Sequence, residues 1–346
     1  MKPAGSRRPL LSVDQNGIYC SAGRFYVDPR RAVDRAVITH AHSDHARPGS
    51  KAYLSSASGA PILRERLGAS ARIESLEFGE SVDINGVSVS LHPAGHILGS
   101  AQIRIEHRGE VWVVTGDYKT EPDRTCESFD LVQCDTLITE CTFGLPIYRW
   151  PEASTVRDRI NRWWTSNRDK GITSVLLGYS LGKAQRLISG LNPSIGPVYC
   201  HHSVERMNAL YRAQGRLDVE TAGVESVTPS TRWSDGIVVA PSAPADDAWF
   251  ARLGPASVAF ASGWMSIRNR RRQRRSDLGF VVSDHVDWPA LLDVIQGTGC
   301  TRVLATHGYS TQLCRWLNEN GTAAVPLDDG FKRGVETNTI DGEESA

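Results

Sequence analysis

Ile38-Thr39-His40-Ala41-His42-Ser43-Asp44-His45 sets three histidines and an aspartate within six residues, directly after the apolar, β-prone run Ala36-Val37-Ile38. A strand therefore ends where candidate ligands begin. Imidazole nitrogens and a carboxylate are donors that Zn²⁺ or Mn²⁺ accepts, and a tight turn can aim alternate residues at two different ions. The stretch reads as part of a metal site whose other ligands come from elsewhere in the chain.

Five further runs deliver the same residue types. Val87-Ser88-Val89-Ser90-Leu91 alternates as a strand and leads into Gly95-His96, and Val111-Trp112-Val113-Val114 leads into Gly116-Asp117. Thr136-Leu137-Ile138-Thr139 ends in Glu140, Gly279-Phe280-Val281-Val282 in Asp284-His285, and Arg302-Val303-Leu304-Ala305 in Thr306-His307. Any one of these is an ordinary buried histidine or turn acid. Six together point to one place, because strand ends in a sheet converge on one edge. Asp28, ahead of Pro29, reads either as a turn residue or as an acid that orients a metal-bound histidine.

The chain has 346 residues, 40% of them hydrophobic, with 31 glycines, enough for two domains of a globular α/β protein. Its 39 basic and 39 acidic residues cancel, so affinity for a polyanion must come from local patches. Seven scattered cysteines without a CxxC fit reduced thiols, and the expected location is the cytoplasm. Met1 to Leu10 carries basic residues with no apolar stretch behind them, and no run of about 18 apolar residues follows anywhere. Neither export nor membrane insertion is expected.

Residues 146 to 282 have a different texture and read as an inserted α/β domain. Val156, Ile160, Trp163 and Trp164 recur at helical spacing over Ala153 to Asp169, and the tryptophans fit core positions. Thr173 to Leu177 is a buried strand, followed by the loop Gly178-Tyr179-Ser180-Leu181-Gly182-Lys183 and a helix from Ala184 to Leu191. The loop lacks the glycine spacing and the Ser/Thr of a nucleotide-binding P-loop, so triphosphate binding is rejected. His201 and His202 follow another strand and read as structural or substrate-facing. Arg268, Arg270, Arg271, Arg272, Arg274 and Arg275 form the densest charge in the chain, just upstream of His285, and are expected to grip phosphates. The acidic tail, 336–346, is expected to be disordered.

The pattern His40-x-His42-x-Asp44-His45 with His96 and Asp117 resembles the metallo-β-lactamase superfamily, which implies an αβ/βα sandwich with a two-metal centre. Adding Glu140, His285, His307 and the stretch Gly178-Tyr179-Ser180-Leu181-Gly182-Lys183-Ala184-Gln185 makes it similar to the β-CASP nucleases, a group that includes RNase J and Artemis-like enzymes. Phe25-Tyr26-Val27-Asp28-Pro29, His45-Ala46-Arg47-Pro48-Gly49-Ser50 and Thr142-Phe143-Gly144-Leu145-Pro146-Ile147-Tyr148-Arg149-Trp150 resemble the bacterial DNA ligase-associated exonucleases within it. The implied division is 1–145 with 283–335 for the metal-bearing domain and 146–282 for the β-CASP insert.

The resemblance further implies that His40, His42 and His96 hold one ion, that Asp44, His45 and His307 hold a second, and that Asp117 bridges them. Two ions about 3.5–4 Å apart clamp both faces of an in-line displacement, with hydroxide as the nucleophile. His285 is the implied general acid and Glu140 its orienting carboxylate. Lys183 and the arginine run are the expected contacts to nucleic acid. Residue and subfamily signals diverge on the polymer: in the family a histidine at the place of His307 is typical of members that cut RNA, while the subfamily implies a DNA exonuclease working with a ligase or helicase repair system. DNA is favoured. The alternatives are an RNase J-like ribonuclease, a small-molecule metallo-hydrolase and a non-catalytic binder.

Overall fold

The computed structural model describes residues 9–228, 230–241, 247–267 and 278–330. The arginine run and the acidic tail, 336–346, lie outside the described residues. Three sheets organise the rest.

The first sheet is formed in sequence order by β1 (Leu11–Asp14), β2 (Gly17–Cys20), β3 (Phe25–Val27), β4 (Arg35–Val37), β5 (Ala52–Ser56) and β6 (Ile73–Leu76). It begins as an antiparallel meander and turns parallel from β3 onward. The helix α1 (Ala60–Leu67) connects β5 to β6, as a parallel pair requires. The second sheet starts with the antiparallel strands β7 (Ser81–Ile84), β8 (Val87–Pro93), β9 (Ala101–His107) and β10 (Glu110–Val114), then adds β11 (Thr136–Cys141) parallel to β10. All six residues of β11 are buried. That is expected of a strand with parallel neighbours covered on both faces, although Thr136, Thr139 and Glu140 make it more polar than such strands usually are.

The chain then leaves this sheet through α2 (Ala153–Asp169) and builds a third, wholly parallel one. It contains β12 (Thr173–Leu177), β13 (Val198–Cys200), β14 (Ala222–Gly223), β15 (Ile237–Ala240), β16 (Ala256–Ala261) and β17 (Leu278–Phe280) in the order β14-β13-β15-β12-β16-β17. Helices α3 (Lys183–Ser189) and α4 (His202–Ala213) cover one face with α2. After α5 (Trp288–Gly297) the chain returns to the second sheet as β18 (Arg302–Gly308), parallel to β11, followed by α6 (Ser310–Glu319) and β19 (Ala323–Pro326).

Burial explains the layering. Val27, Val37 and Leu54 of the first sheet pack on Val89, Ile103, Trp112, Ile138 and Leu304 of the second. The other face of the second sheet, with Val113, Leu137 and Val303, packs on Leu291, Val294, Leu313 and Leu317 of α5 and α6. A third cluster runs without interruption from Ile38 and Tyr53 through Ile62 of α1 and Ile97 to Trp164, Leu187, Ile188 and Leu176 of the third unit. Each such side chain contributes about 1.5–3 kcal/mol by burial, so the continuous cluster seats the third unit firmly beside the first sheet.

Two sequence expectations are corrected here. The six runs do not end on one sheet edge: they belong to three sheets, β4 to the first, β8, β10, β11 and β18 to the second and β17 to the third. Glu140 and His307 also lie inside β11 and β18 rather than beyond their ends. Convergence is a product of sheet packing.

Candidate metal centre

Asp28 sets the first turn. The Ile38 N–H still donates to Leu54 O at 2.8 Å, but the Thr39 N–H donates to the Asp28 carboxylate at 2.8 Å, which takes the place of a strand partner. Asp28 stands at φ 42°, a left-handed conformation that Asp tolerates better than most residues. Its Oδ2 accepts the Thr39 hydroxyl at 2.5 Å and His45 Nδ1 at 2.7 Å. With its proton on Asp28, the Thr39 hydroxyl accepts from His40 Nδ1 at 3.1 Å. One carboxylate thus orients two rings, His45 directly and His40 through Thr39, and leaves Nε2 of each pointing away.

Hydrogen bonds assign the other two histidines in the same way. His42 Nε2–H donates to the Leu181 carbonyl at 3.2 Å, which leaves Nδ1 bare, and His96 Nδ1–H donates to the Asp284 carbonyl at 2.9 Å, which leaves Nε2 bare. The loop carrying His96 approaches its neighbour closely: a Cβ on Gly95 would lie 2.1 Å from Lys119 O. Nε2 of His40 and Nε2 of His96 each lie 3.1 Å from His42 Nδ1. Three lone pairs face one another with no donor between them. Burial holds His40 and His96 well below the ordinary imidazole range, with the neighbouring rings adding to the effect, and it lowers His42 as well. Neutral rings are the ligating form.

Asp117 follows β10 through Gly116, where a Cβ would meet Thr39 at 2.6 Å. Its Oδ2 lies 3.6 Å from both His40 Nε2 and His45 Nε2 and 3.7 Å from His96 Nε2, while Oδ1 lies 4.0 Å from His307 Nδ1. Three groups of potential donors share it among the described residues, one with His40, His42 and His96, one with His45 and His307 and one with Glu140 and His285, and within each the ligand atoms all lie within 4.8 Å of one another. His45 Nε2 is buried without a hydrogen-bond partner, 3.7 Å from Asp44 Oδ2. Burial opposes a charge on His45, yet Asp117, Asp28 and Asp44 outweigh it and raise the ring to about 10. The orphaned nitrogen and the negative potential around it are what a divalent cation satisfies, so the residues fit a metal pair.

His307 reaches the group through an irregularity in pairing. Glu140 is opposite Thr306 and Cys141 opposite Gly308, so His307 is the extra residue of a bulge, at φ 56°. Bulges next to functional sites re-aim side chains in this way. Beside the donors, His285 Nδ1 is 2.7 Å from Glu140 Oε1. Glu140 also accepts the Tyr118 and Thr142 N–H groups at 3.2 and 3.0 Å. Burial alone would raise the Glu140 carboxyl, but His285 and the Thr142 hydrogen bonds bring it below its usual range. His285 is pushed up to about 9, because Glu140 and Asp117 outweigh its burial.

The remaining candidates separate. Lys183, expected to contact nucleic acid, is a correction: it is 4% exposed, its Nζ lies 2.8 Å from Asp284 Oδ2, and it donates to Val282 O. A buried cation neutralised by a buried carboxylate has no reach to a polymer. His201 caps α4, its Nδ1 accepting the Ser203 N–H at 3.2 Å, and His202 is exposed beside Glu225. Neither joins the donor groups. Sequence reasoning missed Arg186 and Asp284. Arg186 ion-pairs with Asp123 at 3.0 Å and Asp284 at 3.5 Å, and it donates to the carbonyls of Gly95, His96 and Ser283. The only signal for Asp284 was its place next to His285; Arg186 had none.

No family model matches the chain. Curated proteins do resemble it. A protein named "Probable DNA ligase" from Opitutus terrae is 31% identical over 328 residues, which is 93% of this chain and 32% of that protein. "Endoribonuclease YSH1" of Saccharomyces cerevisiae is 32% identical over 119 residues, 34% of this chain and 15% of that protein. "Cleavage and polyadenylation specificity factor 73" of Drosophila melanogaster is 33% identical over 122 residues, 34% of this chain and 17% of that protein. The chain thus spans about a third or less of the length of these relatives. A crystal structure of a protein of unknown function from Enterococcus faecalis V583 matches with a TM-score of 0.57 at 13% identity, covering 84% of this chain and 78% of that one, and shows a shared fold. Among the described residues no helix is long and apolar enough to cross a membrane.

Proposed function

We propose that the chain is a β-CASP nuclease of the metallo-β-lactamase superfamily that hydrolyses phosphodiesters with two divalent ions, Zn²⁺ or Mn²⁺, and that DNA is its favoured polymer. One observation carries this reading: Asp117 is shared between two converging donor groups, with the Glu140–His285 pair beside them. Ions held there would polarise the phosphodiester and lower the pKa of water. The chain's own residues supply the rest. Glu140 takes the Nδ1–H of His285, which makes Nε2 the proton-donating atom for the oxygen that leaves as the phosphorus–oxygen bond breaks. On this reading residues 1–145 and 283–335 form the metal-bearing domain and 146–282 the insert.

DNA is supported by the breadth of the Opitutus match, whose name includes a DNA ligase, and that match also supports a partnership with a ligase-linked repair system. Ribonucleolytic action is the second reading, supported by His307 and by the endoribonuclease names among the relatives. Digestion of matched single-stranded DNA and RNA, end-labelled and supplied with Mn²⁺ or Zn²⁺, tests both. Metal-dependent shortening of DNA, reduced in Asp117→Asn by at least about a thousandfold, is the expected result, since the ions supply several kcal/mol. Cleavage of RNA alone would select the second reading, and turnover of lactam or thioester substrates without cleavage of either polymer would overturn both.

A further inference from the structure

Tyr179 leaves 68% of its surface in water, more than any other large apolar side chain among the described residues. Only Ile147, at 59%, and Leu131, at 48%, are comparable. Tyr179 and Ile147 both lie on loops that touch the candidate centre. Tyr179 is two residues from Leu181, whose carbonyl fixes His42 at 3.2 Å. Ile147 is three residues from Trp150, whose Nε1 donates to His285 O at 2.8 Å.

The loop around Tyr179 is locked although its ring is free. Gly178 N–H donates to Ala240 O at 3.0 Å, and Ala184 N–H donates to Tyr179 O at 3.0 Å. Gln185, fully buried, accepts the Gly182 N–H at 2.8 Å and donates to Ser180 O at 3.1 Å. Gly182 is required at φ 85°, where a Cβ would collide with Ile97 at 2.2 Å. Ser180 and Ser203 share a hydrogen bond at 2.9 Å. Nothing in this network uses the Tyr179 side chain. An aromatic ring on a fixed backbone beside a phosphodiester-cleaving centre is a stacking platform, because every nucleobase offers a π-face and a rigid platform loses little entropy on binding.

We propose that Tyr179 stacks on an unpaired nucleobase of the bound strand next to the candidate metal centre. The inference rests on the nuclease reading and deepens it. It assigns the chain a preference for single strands, whose bases are free to leave the helical stack. The ring, not its hydroxyl, makes the contact.

Binding of labelled oligothymidylate and oligouridylate to the full chain without added divalent metal, so that no strand is cut, tests it by fluorescence anisotropy. The same strands without bases, as abasic sugar-phosphate chains, serve as the paired probe. Tyr179→Ala is expected to weaken binding of the base-bearing strands on the order of tenfold and to leave the abasic strands unchanged, whereas Tyr179→Phe binds both like the parent. Equal binding by Tyr179→Ala and parent would overturn the stacking role, as would a Tyr179→Phe loss equal to that of alanine. If the parent binds none of the strands, the stacking inference is overturned, while the nuclease reading is decided separately by the metal-dependent cleavage of DNA or RNA.

Discussion

Two of the donor groups that meet at Asp117, those of His42 and His45, are built differently. His40 and His96 are buried, and the rings of His40, His42 and His96 are each held by a neighbour: Thr39, the Leu181 carbonyl and the Asp284 carbonyl. In the second group His45 is buried but the side chain of His307 is 52% exposed, and Asp44, expected as a further ligand, lies outside the group with 68% of its side chain exposed. The first group is set before any ion arrives and has little freedom to lose. The second is open to solvent, so a large substrate would approach the centre from its side. Burial and fixed tautomers favour retention of an ion; exposure favours its exchange.

The strongest challenge to this contrast comes from removing one ligand of each kind. His96→Ala is expected to empty the buried position and lower cleavage by at least about a thousandfold, while His307→Ala keeps one tightly held ion and loses only the other on dialysis. Elemental analysis of the dialysed variants gives the ion content. Equal loss in both would mean that the two positions fill as one unit.

A smaller effect probes the wall behind the buried group. Asp284→Asn leaves Lys183 and Arg186 in the interior without their shared carboxylate and is expected to lower stability by about 3–5 kcal/mol in denaturant titration. Despite burial, Lys183 and Arg186 hold the Asp284 carboxyl far below its ordinary value. The unfolded chain binds this proton more readily, so the contribution is complete above the ordinary carboxylate range, about pH 4, and is lost as pH falls towards the depressed value. The variant therefore shows a shallower acid limb than the parent, and an unchanged limb would remove Asp284 from this role.

The least disruptive test addresses His285, which pairs with Glu140 beside Asp117. Its ring is raised to about 9, chiefly by Glu140 against the lowering effect of burial, so the protonated form persists through neutral pH and is lost as pH rises through that value. Glu140→Gln removes the charge and keeps the shape. The alkaline fall of the rate is expected to move to lower pH; a profile that stays in place would make another group the proton donor.

How much of this was legible beforehand depends on the range of the interaction involved. The helix Ala153–Asp169 and the strand Thr173–Leu177 have the limits that the sequence pattern suggests, because apolar periodicity is a local signal. His40, His42, His96 and Asp117 were visible for a similar reason, each being a donor that closely follows an apolar run. Lys183 was misread because a lysine in a glycine-flanked loop looks solvated until its partner, 101 residues away at Asp284, is placed against it.

The sequence by itself determined the kinds of ligand available and the strands that carry them, since both depend on residues adjacent in the chain. Only the tertiary structure decided which nitrogen of each ring is bare, that a bulge turns His307 towards Asp117, and that the segments following β12 and β17 of the third sheet hold the rings of His42 and His96. Those outcomes depend on backbone carbonyls and buried ion pairs between distant segments, which any residue type can offer and which leave no local mark.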